Sequence, residues 1–218
     1  MSGFQRQTPY WAIPKKISRR KMFPMAGLAA VGAAVPRGTS GASSTPNAPL
    51  NRGDRIHLSG EESAAIVQKA ASRAAEYLQQ YGGCAQCTLA ALQDALPFLP
   101  NDPGLFRAAS CLDGGATPTG LHQCGSFTAA GLAIGYLCGR TRDEIFFGDR
   151  TLAHQLLQKV FLQFQQYYGS VLCKDVRGKV NGNCRLTVGR AAQWTAEALL
   201  ETFTASSSPA PDQKPPSP

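Results

Sequence analysis

An all-α domain of about five to six helices is what this chain predicts, and three observations carry that reading. Apolar residues recur at helical spacing, Ser/Thr-x-x-Glu boxes precede two segments, and glycine or proline closes most of the apolar runs. Nothing alternates convincingly with period two, and no internal repeat is visible.

Ser59-Gly60-Glu61-Glu62 is a capping box, with the hydroxyl taking the N3 amide and Glu62 reaching back. It opens an Ala-rich helix ended by Gly82-Gly83, with Ile66, Ala70, Ala74, Tyr77, Leu78 and Tyr81 along one face. A second helix runs from about Cys84 to Leu96, before Pro97, with Ala85, Leu89, Leu92 and Leu96 inward. After the Asn101-Asp102-Pro103 turn, a short helix covers Leu105 to Cys111.

Gly114-Gly115 through Gly120 form a Gly-rich loop before the central helix, which runs from about Gly125 to Leu137 and ends at Gly139. Its Ala129, Ala130, Gly131, Ala133 and Gly135 imply close packing, because each helical glycine costs about 1 kcal/mol relative to alanine and a neighbour must compensate. Thr141 to Glu144 is a second capping box. Asp149 is expected to cap a long helix to Tyr168, with Leu152, Leu156, Val160, Phe161 and Phe164 inward and Gly169 as its stop. Asn183 is expected to cap the last helix, Cys184 to Phe203, through Val188, Ala191, Ala192, Trp194, Ala198 and Leu199.

These elements occupy residues 59–205, a length sufficient for one hydrophobic core and one domain. Residues 1–42 read as an export signal and its cleavage region, 43–58 as a linker, and 206–218 as a disordered tail rich in Pro and Ser. The signal reading rests on Ser18-Arg19-Arg20-Lys21, followed by an uncharged run from Met22 to Val35 and a small-residue stretch, a pattern resembling a twin-arginine leader. Those fourteen residues are too few for a bilayer that needs roughly 20, so no stable membrane span is expected. The expected location is the periplasm or another exported site, where disulfides persist.

The formal charge of +8 is a property of the leader. From position 41 onward 15 basic residues face 14 acidic ones, which removes the electrostatic footprint of a nucleic-acid binder. No Walker loop, H-x-x-x-H, paired carboxylates or nucleophile-elbow serine is present.

Chemistry therefore concentrates in seven cysteines, none before position 84. Cys84, Cys124 and Cys184 each fall at or next to a predicted helix start, where unpaired amides and the helix dipole favour an anion, so their thiol pKa values are expected below the usual value of about 8.5. Cys87 completes a C-x-x-C with Cys84, one helical turn apart. Residue 88 is Thr and not His, so no covalent c-type haem is expected. Cys111 and Cys138 read as inert small hydrophobes, and His122 as a solvated loop residue that lies two positions from Cys124.

Gly83-Cys84-Ala85-Gln86, the Ser110 to Gly115 segment leading into Gln123-Cys124-Gly125, the Tyr168 to Cys173 element, and Cys184 resemble the redox-active protein family named for its C_GCAxxG_C_C cysteine pattern. The similarity spans about 59–203 and implies that Cys84, Cys124, Cys173 and Cys184 are the four signature cysteines. Gln123 stands where the central motif has its first glycine, Gly125 where it has alanine, and Thr128 where it has its last glycine.

Three functions follow. In the first, Cys84, Cys124, Cys173 and Cys184, with Cys87, cycle between thiol and disulfide against a redox partner protein or a small-molecule electron donor or acceptor. In the second, the four signature thiolates bind an iron–sulfur cluster or a zinc ion. The third is a non-enzymatic helical binding module stapled by two disulfides, which a core of this size does not need. The export machinery is a further expected partner.

Overall fold

The computed structural model describes residues 53–116 and 118–205, which lie within one compact unit. The residues read as an export signal, most of those read as linker and the tail from 206 fall outside the described residues. Seven α-helices follow one another: α1 (Gly60–Tyr81), α2 (Cys84–Ala95), α3 (Pro103–Ala108), α4 (Gly125–Cys138), α5 (Thr151–Tyr168), α6 (Cys173–Lys179) and α7 (Cys184–Phe203). A single 3-10 turn, Ala109–Cys111, extends α3. Among the described residues there is no strand, only two isolated bridges.

The helix absent from the five-to-six reading is α6. Its seven residues, Cys-Lys-Asp-Val-Arg-Gly-Lys, contain one buried aliphatic, Val176, and carry no periodic apolar face to betray it. Ser170 nucleates it instead: its hydroxyl accepts from the Leu172 amide at 3.0 Å and donates to Asp175 at 2.8 Å.

The Ser59 capping box forms as read, with Glu62 N–H on Ser59 Oγ at 3.1 Å and the reciprocal bond at 2.7 Å. The second box does not start a helix. Glu144 accepts from the Thr141 amide, but residues 142–147 turn repeatedly and expose Phe146 and Phe147. Asp149 takes both the amide and hydroxyl of Thr151, but the N-cap of α5 is Arg150, one residue later than read, and neither it nor Asn183 at α7 makes a side-chain capping bond.

Helices α4 and α7 are the inner ones. α7 packs on α1, α2, α4 and α5, and α4 on α2, α5 and α7. Small residues permit this: Ala129, Ala130 and Ala133 are fully buried in α4, and a Cβ added at Gly189 of α7 would stand 3.2 Å from the Ala71 carbonyl of α1. Gly135 is the exception, exposed and without a close neighbour. Leu89, Leu92, Phe98, Ile134, Leu156, Phe164, Leu199 and Phe203 fill the space between helices, with Phe98 and Phe203 rings 5.3 Å apart. Tyr81, read as the end of the α1 inner face, is 72% exposed because the chain has already reached the end of its packed partner. The stretch read as linker docks at its end: Ile56 pairs with Thr204, giving and taking backbone bonds of 2.8 and 2.9 Å with Phe203 and Ala205.

Candidate functional site

Finding α6 changes the description of the sulfurs. Cys84, Cys173 and Cys184 are the first residues of α2, α6 and α7, and Cys124 is the N-cap residue of α4, so all four signature cysteines stand at helix starts. The Gly-rich loop brings these starts together. Gly120 N–H bonds to Gly114 C=O at 2.9 Å and closes the loop, and the chain then pairs with the entry to α6. Gln123 and Leu172 form an antiparallel bridge, in which Cys173 N–H donates to His122 C=O and Cys124 N–H to Val171 C=O, both at 2.8 Å.

Glycines seat the sulfurs within this frame. A Cβ at Gly115, which holds φ +74°, would lie 2.7 Å from Cys173 Cβ. One at Gly125 would lie 2.5 Å from Cys84 Sγ. The departure from alanine at 125 therefore has a steric reason: the Cys84 sulfur, the Asp113 Cα and the Leu112 carbonyl crowd that space. Thr128, at the motif's last glycine, turns its hydroxyl back to the Gly125 carbonyl at 2.9 Å and leaves α4 regular.

The four sulfurs sense one another. Charge on Cys173 or Cys184 raises the pKa of Cys84, charge on Cys84 or Cys173 raises that of Cys124, and charge on Cys184 raises that of Cys173. All seven cysteines are thiols, with no disulfide formed. Among the described residues no group of three or more His, Cys, Asp or Glu is placed to hold a metal ion, so the zinc or cluster reading gains no support from this geometry.

The expectation of acidic helix-start thiols is overturned. Burial, first of all, pushes Cys84 up to about 11 and Cys124 up to about 12. The Gly114 amide opposes this at Cys84, and the Ser126 amide and hydroxyl oppose it at Cys124, without prevailing. Cys173 and Cys184 are also raised by burial. A helix terminus stabilises an anion by about 0.3–1 kcal/mol near the surface, less than removing a thiolate from water costs when neighbouring sulfurs are themselves anion-prone.

Two charged residues that the sequence reading passed over lie among these thiols. Asp113, half-buried just before Gly114-Gly115, raises Cys84, Cys87 and Cys173. Arg177 of α6 pulls Cys173 and Cys184 down. An acidic residue directly before a Gly-Gly pair in a cysteine-bearing loop was the available signal for the first. No signal marked the second without α6.

Cys87 is buried and donates its thiol to the Gly82 carbonyl at 3.0 Å, and its pKa is pushed up to about 11, mainly by burial. Gln86 ties α2 to the Ala109–Cys111 turn through Ser110 Oγ at 2.9 Å. His122 is exposed and contributes its carbonyl. Three buried hydroxyl oxygens near the site, on Ser126, Tyr168 and Thr187, make no hydrogen bond of ordinary geometry.

Cys138 is fully buried as read, but Cys111 is exposed, because the turn after α3 carries it to the surface. In the reduced native protein at about pH 8, Cys111 is therefore expected to alkylate first and the buried Cys124 and Cys138 last. Timed iodoacetamide pulses read by mass spectrometry give the order. Labelling of Cys84 or Cys124 ahead of Cys111 would restore the helix-start field as the dominant influence.

No curated relative and no solved structure matches the chain. A family model does, over residues 83–198, and its description is "Putative redox-active protein (C_GCAxxG_C_C)". That span runs from the glycine before Cys84, through the loop and the bridge, and past Cys184 into α7, so it contains every element that gathers the thiols. The chain belongs to the C_GCAxxG_C_C family of redox-active proteins.

Proposed function

We propose that this is an exported thiol redox protein in which Cys173 and Cys184 exchange electrons with a partner, backed by Cys84 and Cys124. The observation that supports it best is the gathering of four thiols from four helix starts, with the Arg177 cation and the Asp113 carboxylate acting on them. Cys184 is the thiol best suited to attack. It is partly exposed, Arg177 favours its anion, and burial alone opposes that anion, whereas Cys173 also feels Cys184 and Asp113.

In the exchange, Cys184 loses its proton to solvent and its thiolate attacks one sulfur of a partner disulfide, releasing the other as a thiolate. Cys173 then gives up its proton and displaces the partner from the mixed disulfide. Two protein thiols are oxidised to one disulfide, and one partner disulfide is reduced to two thiols. Cys84 and Cys124, held protonated at neutral pH, act as a reserve that exchanges more slowly with the first pair. Export, suggested by residues 1–42, would place the site where disulfides persist, and cell fractionation checks it.

Equilibration in dithiol buffers, followed by trapping and mass counting, tests the reading. A working pair is expected to titrate between about −270 and −120 mV, and Cys184→Ser or Cys173→Ser is expected to remove that step while the helical circular dichroism persists. Disulfides that resist reduction below about −300 mV, with loss of fold in the variants, would make the cysteines structural staples.

A further inference from the structure

Among the described residues, the stretch that carries the buried Cys173 and the partly exposed Cys184 is strongly one-sided in charge. The described residues hold thirteen basic and thirteen acidic side chains, yet the stretch 173–186 contains four basic residues and one acidic one. Lys174, Arg177 and Lys179 on α6 and Arg185 on α7 are all exposed, and none forms an ion pair among the described residues. The one acid, Asp175, accepts the hydroxyl of Ser170. The remaining described residues therefore carry a net negative charge.

Apolar surface accompanies the cations. Leu186, two residues after Cys184, is 52% exposed. Leu121 is 65% exposed and sits on the loop that the bridge fastens to α6, next to Gly120, whose carbonyl takes the Lys174 amide at 2.9 Å. An isolated exposed leucine needs no explanation, but two on the segments that carry four exposed cations and the partly exposed Cys184 supply what a docking surface requires.

We propose that this face, with Leu121 and Leu186 at its centre and Lys174, Arg177, Lys179 and Arg185 around it, docks an acidic protein partner that presents a disulfide to Cys184. The proposal rests on the thiol-exchange reading above and names the chemistry of its partner. Opposite charge steers the encounter and fixes its orientation, and the leucines supply the contact area that charge alone does not. A protein is favoured over an anionic lipid surface because the partly exposed Cys184 lies beside these cations, where only a partner with its own sulfur uses it.

Two synthetic probes test this. Both peptides carry Leu-Cys-Leu, with the cysteine as a mixed disulfide to thionitrobenzoate, flanked by four glutamates in one and four lysines in the other. Release of thionitrobenzoate reports Cys184 attack when the reduced full-length chain carries Cys111→Ser, which removes the exposed competing thiol, and is lost on adding Cys184→Ser. The glutamate peptide is expected to react about tenfold faster at low ionic strength, with the difference collapsing near 1 M salt. The triple variant Lys174→Glu, Lys179→Glu, Arg185→Glu is expected to invert the preference, and Arg177 is kept because it touches the sulfurs' chemistry. Circular dichroism confirms that the variant is folded.

Equal rates for the two peptides, or a preference for lysine, would overturn the docking surface. If that result came with sedimentation on phosphatidylglycerol vesicles, the face would be a lipid contact instead. Failure of the thiol-exchange reading looks different: neither peptide would react, and the dithiol titration would show no step.

Discussion

Replacing Gly115 with alanine is expected to cost the domain about 2–5 kcal/mol, combining a left-handed backbone imposed on a residue with a side chain and an overpacked contact. The residue holds φ +74°, and the added carbon would stand 2.7 Å from Cys173 Cβ and 3.0 Å from both Cα and the carbonyl carbon of Gly120. None of these is the end of a flexible side chain. The loop and the start of α6 must separate, loosening the bridge that sets Cys124 beside Cys173. Urea denaturation of the reduced protein measures the loss. A Gly115→Ala midpoint equal to wild type would mean that the loop does not press on α6. Gly125→Ala is the useful companion: Cys84 Sγ can rotate away from the 2.5 Å contact, but Asp113 Cα and the Leu112 carbonyl at 3.0 Å cannot.

The second large effect is on pH. Stability of the reduced domain is expected to fall as pH rises from about 9 to about 12, because Cys84 and Cys124 hold their protons up to about 11 and about 12 when folded, against an ordinary 9.0. Below pH 9 both states carry the protons and the contribution is complete. Above it the unfolded chain has fewer protons bound than the folded one, so unfolding becomes easier with every increment until the folded values are passed. At about 1.4 kcal/mol per pH unit for each thiol, the loss is on the order of several kcal/mol. Tyr77, Tyr136 and Tyr168 also have raised values and act with the same sign. The double variant Cys84→Ser, Cys124→Ala isolates the thiols: its decline across this range is expected to be shallower than that of wild type. An unchanged slope would show that buried thiols are not what alkali attacks.

Position along the chain was enough to identify the helices that carry an apolar period. α7 runs from Cys184 to Phe203 as read, and α2, α4 and α5 differ only by a residue or two at their ends, because each repeats its buried positions every three or four residues and stops at a glycine, a proline or a change of period. The four cysteines read as the signature were singled out for a different reason, their motif neighbours, and all four lie within the span of the family match. Local chemistry could also identify the Ser59 cap, since it is satisfied within three residues, whereas α5 starts from Arg150 and not from Asp149 as read.

What needed the tertiary structure is whatever depends on residues far apart in the chain. α6 has no periodic face and is held at its start by Ser170, which bonds Leu172 and Asp175, and by the Gly-rich loop, which pairs with its entrance some fifty residues from Gly120. The thiol pKa values could not follow from helix position alone. A dipole is a local property of a helix start, but burial is set by every element packed around it, and here it outweighs the field that a helix start alone would lend the sulfurs. Asp113 and Arg177 became part of the site for the same reason: Coulomb interactions act through space, and the chain's order does not record which charges the fold will bring together.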